Sequence, residues 1–162
     1  MNPFRHRPDQ PAPEDVRVDR LLLASEGRAI PPATIDFAAR IAKRGGGAVH
    51  VFAVTRVWGS GFGLPNPGLM PTKHEWDAQR AIVSDAVAAL EQHGVKASGH
   101  VLATRKATKR ILGEADRLGC GAIVMAADPA RNRILADLMW SQEPYRVRRR
   151  ARIPVYLVTP SS

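Results

Sequence analysis

The sequence has little of what would indicate disulfides, membrane insertion or thiol chemistry. It has one cysteine in 162 residues, Cys120, which excludes an intramolecular disulfide and suits a reducing compartment. We therefore expect a cytoplasmic protein. Because Cys120 lies between two glycines with no paired histidine motif, it is predicted to be a core or turn residue rather than a nucleophile. No apolar run approaches the roughly 20 residues that span a bilayer.

Catalytic and metal-binding motifs are also lacking. The patterns GxSxG, GxxxxGK[ST], HExxH and CxxC do not occur, so we expect no enzyme. His50 lies inside an apolar run, and no second His, Cys or acid stands at ligand spacing along the chain. It is therefore predicted to be a core or face residue, and no metal is expected.

The formal net charge is +9, and its distribution is uneven. A basic strip runs from Arg146 to Arg152 without an acid. Such an excess could favour nucleic acid, acidic lipid or an acidic protein surface. No aromatic residue alternates with the basic ones, as base stacking would require, so we interpret the charge mainly as a solvated face. A second group of basic residues comprises Arg105, Lys106, Lys109 and Arg110.

Short apolar runs alternate with helical patterns from about residue 17 to 160. This alternation predicts a single α/β domain with a doubly wound parallel sheet. Residues 1–16 are rich in proline and are predicted to form a disordered or surface-hugging tail. The predicted strands are residues 18–24, 48–54, 96–103, 122–125 and 155–158.

The helix boundaries carry recognisable signals. Thr72 and Glu75 form a capping-box pattern before the second helix. The prolines at 31 and 32 suit the start of the first helix, and the glycines at 45–47 end it. Between the second strand and the second helix, the glycine- and proline-rich loop 55–71 is predicted to fold over the sheet edge or to meet a partner.

Four local patterns together resemble the universal stress protein family over residues 17–160. LLLA enters the turn Glu26-Gly27, the second strand ends in FAV at 52–54, and ILGEADRLGCGAIVM spans 111–125. RVRRRARIPVYLV at 146–158 matches the family's last helix and strand. The resemblance implies a five-stranded sheet in the order 3-2-1-4-5 with helices on both faces. It also implies a homodimer through the last strand, whose edge is Val155, Tyr156, Leu157 and Val158.

Many members of this family bind ATP or a related adenine nucleotide. They use an aspartate in the first turn and, after the fourth strand, two glycines followed by Gly-Ser or Gly-Thr. Glycines let backbone amides approach phosphate, and the hydroxyl residue caps a helix whose N-terminus favours anions. This sequence has Glu26, Ala126, Pro129 and Trp140 at the corresponding places, and Ser141 aligns after one inserted residue. The phosphate cradle is therefore predicted to be dismantled.

Our first hypothesis is a non-enzymatic, homodimeric regulatory module with a degenerate nucleotide site. It would act through protein contacts at loop 55–71 or at the strip from Arg146 to Arg152. The alternative is an adenine-nucleotide-binding stress protein in which Trp140 stacks on the base, and a further alternative is a basic nucleic-acid-associated protein. Ser141 is expected to serve mainly as a helix N-cap. The candidate nucleotide-binding residues are Glu26, Val54, Met125, Ala126, Trp140 and Ser141, with Arg131 and Arg133 as phosphate partners.

Overall fold

A five-stranded, wholly parallel sheet in the order β3-β2-β1-β4-β5 forms the centre of the protein. The computed structural model describes residues 10–57, 70–129 and 142–160. Both the predicted fold class and the predicted strand order are confirmed. The strands are β1 (Arg20–Ser25), β2 (Ala48–Arg56), β3 (Ala97–Thr104), β4 (Ala122–Ala126) and β5 (Val155–Val158).

Helices cover both faces of the sheet, as the alternating pattern predicts. One hydrophobic core joins α1 and α2 to one face, and a second core joins α3 and α4 to the other. A strand covered on both faces must be apolar at successive positions, which explains the run of leucines in β1, all fully buried. The helices are α1 (Pro32–Gly45), α2 (Lys73–Gln92), α3 (Ala107–Leu118) and α4 (Glu143–Arg150).

Local signals set the helix ends. The Thr72 hydroxyl accepts from the Glu75 amide at 3.2 Å, and the Glu75 carboxylate accepts from the Thr72 amide at 2.9 Å. The predicted capping box is therefore confirmed. At the end of α1, Gly46 has a φ of 63°. A Cβ on Gly47 would lie 2.3 Å from the Val18 carbonyl oxygen, so the chain can approach the segment just before β1 this closely only with glycine there.

Several element boundaries differ by one or two residues from the sequence prediction, and two of the differences bear on predicted functional segments. β2 continues through Arg56, so the start of the predicted loop 55–71 is strand, while residues 58–69 lie outside the described part of the chain. α4 begins at Glu143 with Gln142 at its N-cap position, rather than with Ser141 as the cap. The extended backbone of β2 is stabilised by its ladder with β3, which runs to Thr104.

The end of the N-terminal tail packs on the surface. Residues Pro13–Asp15 form a 3₁₀ helix, and Val16 is buried in the core under α1. The Tyr156 hydroxyl donates to the Pro11 carbonyl at 2.7 Å. Residues 10–16 therefore pack against the domain, with Val16 inserted into the core. Residues 1–9 lie outside the described part. Within the described ranges, no helix has the length and apolar character needed to cross a bilayer.

Candidate functional site

The candidate site lies at the carboxyl ends of the strands, at the point where the order of successive strands along the sheet reverses. β1 has β2 on one side and β4 on the other, and α1 and α3 cover opposite faces. The crevice beyond β1 and β4 is the usual ligand position in open α/β sheets. Two segments frame it here: the turn 25–28 after β1 and residues 127–129 after β4.

The turn after β1 is held by its own side chains and by α2. Ser25 Oγ donates to the Arg28 carbonyl at 2.5 Å and accepts from the Gly27 amide at 3.1 Å. Gln79 of α2 donates to the Gly27 carbonyl at 2.9 Å. Gly27 has a φ of 126°, a conformation that favours glycine. The turn is therefore held in place by the chain's own hydrogen bonds, without a ligand.

Arg28 bridges the two segments that frame the crevice. Its Nε donates to Glu26 Oε1, and its Nη1 lies 3.2 Å from Asp128 Oδ1. Glu26 is fully buried, and this burial raises the pKa of its carboxyl group although the Arg28 charge opposes the rise. The first-turn acid is therefore paired with a guanidinium from its own chain, and that guanidinium reaches across to the loop after β4.

A few buried polar atoms of the site lack a hydrogen-bond partner among the described residues. They include Glu26 Oε2, Arg28 Nη2 and Gln79 Oε1. All three belong to side chains that already make one hydrogen bond in the turn. A small polar molecule, such as water or a hydroxyl group, could satisfy them.

A second carboxylate lies at the start of α4. Glu143 accepts from the Thr108 hydroxyl and from Arg146 Nη1, the latter at 3.1 Å. Arg56 Nη2, at the end of β2, lies 3.8 Å from Glu143 Oε1. A helix N-terminus favours negative charge, so this acid stabilises the first turn of α4. The Tyr145 hydroxyl also donates to the Asp128 carbonyl at 2.5 Å and ties α4 to the loop after β4.

The structure places the sequence-predicted residues unequally. Glu26 lies in the crevice, and Ala126 ends β4 beside it with 7% of its surface exposed. Val54 and Met125 are fully buried in the core under α3 and α4, so their described contacts are packing contacts. Arg56 and Glu143 are charged groups near the crevice that sequence reasoning left out of the site. The remaining candidates, Arg131, Arg133, Trp140 and Ser141, lie outside the described residues.

His50 lies on a face of the sheet, in agreement with the sequence prediction, but two ligand-type residues from distant parts of the chain lie close to it. His100 of β3 and Glu114 of α3 approach it, and one ligand atom from each lies within 4.8 Å of the others. The chain spacing hid this cluster because the three residues belong to three different elements. A histidine at an alternate position on each of two neighbouring strands was the signal available in the sequence.

A basic cleft lies between the start of α3 and α4. Its volume is about 650 Å³. It joins the two basic clusters that the sequence keeps about 40 residues apart, since the first helical turn of α3 packs beside α4. Glu143 and Thr108 lie at its floor. Its cationic residues are Arg105, Lys106, Lys109, Arg146, Arg149 and Arg150.

The outer edge of β5 is partly covered by the N-terminal segment. The Gln10 side chain accepts from the Val155 amide at 3.1 Å and donates to the Val155 carbonyl at 3.0 Å. The carbonyls of Pro154 and Val158 instead accept from amides on the β4 side. Because strand residues alternate in direction, Val155 and Leu157 point their backbone groups away from the sheet.

Cys120 is a core residue, as predicted. It is free, buried and packed in the core under α3 and α4. Burial raises the pKa of its thiol to about 11, which disfavours the reactive thiolate.

Comparison with known proteins agrees with this architecture. The chain is similar to a universal stress protein family member from Burkholderia pseudomallei, with 20% identity, a TM-score of 0.63, and coverage of 86% of this chain and 95% of that one. A universal stress protein in complex with cAMP has 15% identity and a TM-score of 0.64 over 90% of this chain and 99% of that one. One from Archaeoglobus fulgidus in complex with dAMP has 22% identity and a TM-score of 0.60 over 85% and 95%.

No curated protein sequence matches the chain. At these identities the structural neighbours establish the fold, and family membership rests on the sequence. The model of the universal stress protein family matches residues 17–159, which is nearly the whole described domain. The chain therefore belongs to the universal stress protein family.

Proposed function

We propose that this protein is a non-enzymatic regulatory module of its family, in which charged side chains of the chain itself take the place of a nucleotide. The observation that carries the proposal is the Arg28 bridge, which pairs the first-turn acid Glu26 with Asp128 across the crevice. In family members that bind adenine nucleotides, the corresponding acid and loop contact the ligand. Here both contact Arg28 of the chain itself.

Electrostatics supports the same conclusion. Asp128 and Glu143 place two carboxylates at the loop after β4 and at the N-terminus of α4. A phosphate about 4 Å from one such carboxylate would be repelled by about 4 kcal/mol at an effective dielectric constant of about 20. Pro129 has no amide to donate in return. The phosphate end of a nucleotide would therefore have to displace chain carboxylates that already have cationic partners.

Action through protein contacts fits the basic cleft. Its six cations converge from two segments and face solvent, and an acidic protein surface is one partner with complementary charge. Retention on immobilised poly-glutamate tests this assignment. The double variant Arg149→Glu/Arg150→Glu should lose retention, whereas Arg80→Glu, an exposed arginine on α2, should keep it. Tighter salt-dependent binding of duplex DNA than of poly-glutamate would favour the nucleic-acid alternative instead.

The proposed homodimer uses the β5 edge. Gln10 already occupies the outward backbone groups of Val155, so pairing with a second copy requires the N-terminal segment to move or to pair further along at Leu157. Gln10→Ala should therefore raise the dimer fraction measured by light scattering. Leu157→Pro should lower it, because proline removes an outward amide. An unchanged molar mass in both variants would exclude β5 as the interface.

Nucleotide binding decides between the two main hypotheses. Purified protein should show a 260/280 nm absorbance ratio typical of protein alone. ATP, AMP and cAMP should give no saturable rise in melting temperature. Two variants serve as controls. Arg28→Ala removes the bridge, and Glu26→Gln removes the first-turn charge while keeping Arg28.

The second candidate function is adenine-nucleotide binding in a rearranged pose. Glu26 Oε2 and Arg28 Nη2 are buried without partners in the described structure, and a ribose hydroxyl could satisfy the first and a phosphate oxygen the second. Two structural neighbours are complexes with cAMP and dAMP. A melting rise of several degrees in the wild type that disappears in Glu26→Gln would establish this function and overturn the first.

A further inference from the structure

A cluster of two histidines and one glutamate lies outside the crevice. It is on the face of the sheet opposite to α1 and α2. In the β2–β3 ladder, His50 is opposite Ser98 and Phe52 is opposite His100. The two histidines are therefore diagonal neighbours on one face of the sheet. α3 packs against that face, and its Glu114 lies over the pair.

The ligand-type atoms of the three side chains converge. His50 Nε2 lies 2.9 Å from His100 Nδ1 and 3.8 Å from Glu114 Oε1. His100 Nε2 lies 3.5 Å from the same carboxylate oxygen. The two His100 contacts are made by different nitrogens of its ring, and a single ion would take only one of them. One ligand-type atom from each of the three residues lies within 4.8 Å of the others. A turn of the His100 ring can bring these atoms to the roughly 3.3 Å separations that metal–ligand distances of about 2.0–2.1 Å at tetrahedral angles require.

Neighbouring side chains orient each of the three residues. Ser98 Oγ lies 3.2 Å from His50 Nδ1, which directs the other nitrogen of that ring to the cluster. The Phe52 ring packs on the His100 ring with a centroid distance of 5.0 Å. Arg117 donates to both oxygens of Glu114, at 3.1 and 2.5 Å. Ligand sets of metal centres are held by such supporting contacts.

We propose that His50, His100 and Glu114 bind one divalent transition-metal ion, for which Zn²⁺ is the best match. Two imidazole nitrogens and one carboxylate oxygen suit zinc, with water in the fourth position, whereas Mg²⁺ and Ca²⁺ prefer oxygen ligands. The site would join the edge strand β3 to α3.

The site can accept an ion if the His100 ring turns so that one of its nitrogens faces both His50 and Glu114. The His100 side chain is 39% exposed on the edge strand, which leaves room for this movement. The same exposure gives the ion a path from solvent. The Arg117 side chain is 62% exposed and can keep Glu114 Oε2 while Oε1 turns to the metal.

Without a metal, the same atoms can form a hydrogen-bond chain from Ser98 through both histidines to Glu114. This chain is the competing explanation of the cluster. It makes a different experimental prediction, because it requires protons and no ion. Metal uptake by the full-length protein separates the two.

The test is equilibrium dialysis of chelator-treated protein against Zn²⁺ at neutral pH, with metal content measured afterwards. The wild type should retain one equivalent. His100→Gln and Glu114→Gln should bind at least about tenfold more weakly, as loss of a ligand or its support does in other metal sites. The matched control is His93→Gln, because His93 also pairs with an acid, Asp36 at 2.7 Å, but no third ligand-type residue joins them in the described part of the chain.

Two outcomes overturn the proposal: no zinc uptake by the wild type, or uptake by His100→Gln equal to that of His93→Gln. Circular dichroism checks that each variant is folded, and His100 is exposed enough for its substitution to be tolerated. In the unmodified protein, Zn²⁺ should also shift the ring resonances of His50 and His100 while those of His93 stay in place. If the His93 resonances move and the other two do not, the ion binds elsewhere.

Discussion

Replacing Arg28 should destabilise the protein by leaving the buried Glu26 carboxylate without its cationic partner. In Arg28→Ala, Glu26 remains fully buried but loses the guanidinium on Oε1. Removing one partner of a buried ion pair costs about 3–5 kcal/mol. Because the Arg28 side chain is 18% exposed, we expect the lower end, about 3 kcal/mol. For a domain of this size that is a fall in Tm of about 6–12 °C.

The loss should depend on pH in a defined direction. Burial raises the folded-state pKa of Glu26 above the ordinary value of 4.5, and Arg28 limits that rise. The folded state of the variant therefore binds the proton more tightly, so its stability falls as pH rises from the unfolded-state pKa through the raised folded-state pKa. At a pH well below 4.5 the glutamate is protonated in both states, and the variant should lose only the Arg28 contacts.

Urea denaturation of the wild type, Arg28→Ala, Glu26→Gln and the double variant at acid and neutral pH measures this effect. The double variant should recover most of the neutral-pH loss, since no buried charge remains. A loss in Arg28→Ala that is equal at both pH values, or that Glu26→Gln does not reduce, would refute the reasoning.

Three further predictions concern the scaffold. Gly99→Ala should cost about 1–3 kcal/mol, because its Cβ would lie 2.5 Å from the Val51 carbonyl oxygen. Urea denaturation checks this, and full wild-type stability would mean that β3 can move outward. Thr72→Ala should cost about 1 kcal/mol by removing half of the capping box, and Thr72→Ser should restore most of it. Cys120 should resist alkylation at neutral pH until the protein is unfolded, since burial raises its thiol pKa to about 11; rapid labelling of folded protein would contradict this.

The departures from the family's nucleotide motif could be read from the chain, but their consequence could not. Ala126 and Pro129 indicated a lost phosphate cradle, because alanine lacks the close backbone approach that glycine allows and proline has no amide to donate. The bridge from Arg28 to Asp128 joins residues 100 positions apart, so no local pattern contains it. The prediction of Ser141 as N-cap was wrong by one residue, because helix ends fray and their position varies by a residue or two.

Hydrophobic patterning by itself determined the α/β architecture. Apolar runs such as Leu21 to Leu23 bury both faces of a strand, and helical patterns between them leave a parallel sheet as the consistent solution. Tertiary structure alone decided the chemistry. Pairing of β2 with β3 and packing of α3 bring His50, His100 and Glu114 together, and packing of α3 beside α4 assembles the basic cleft. The physical reason is sequence separation. Burial follows the local periodicity of apolar residues along the chain, whereas a site depends on side chains that distant segments bring within a few ångströms of one another.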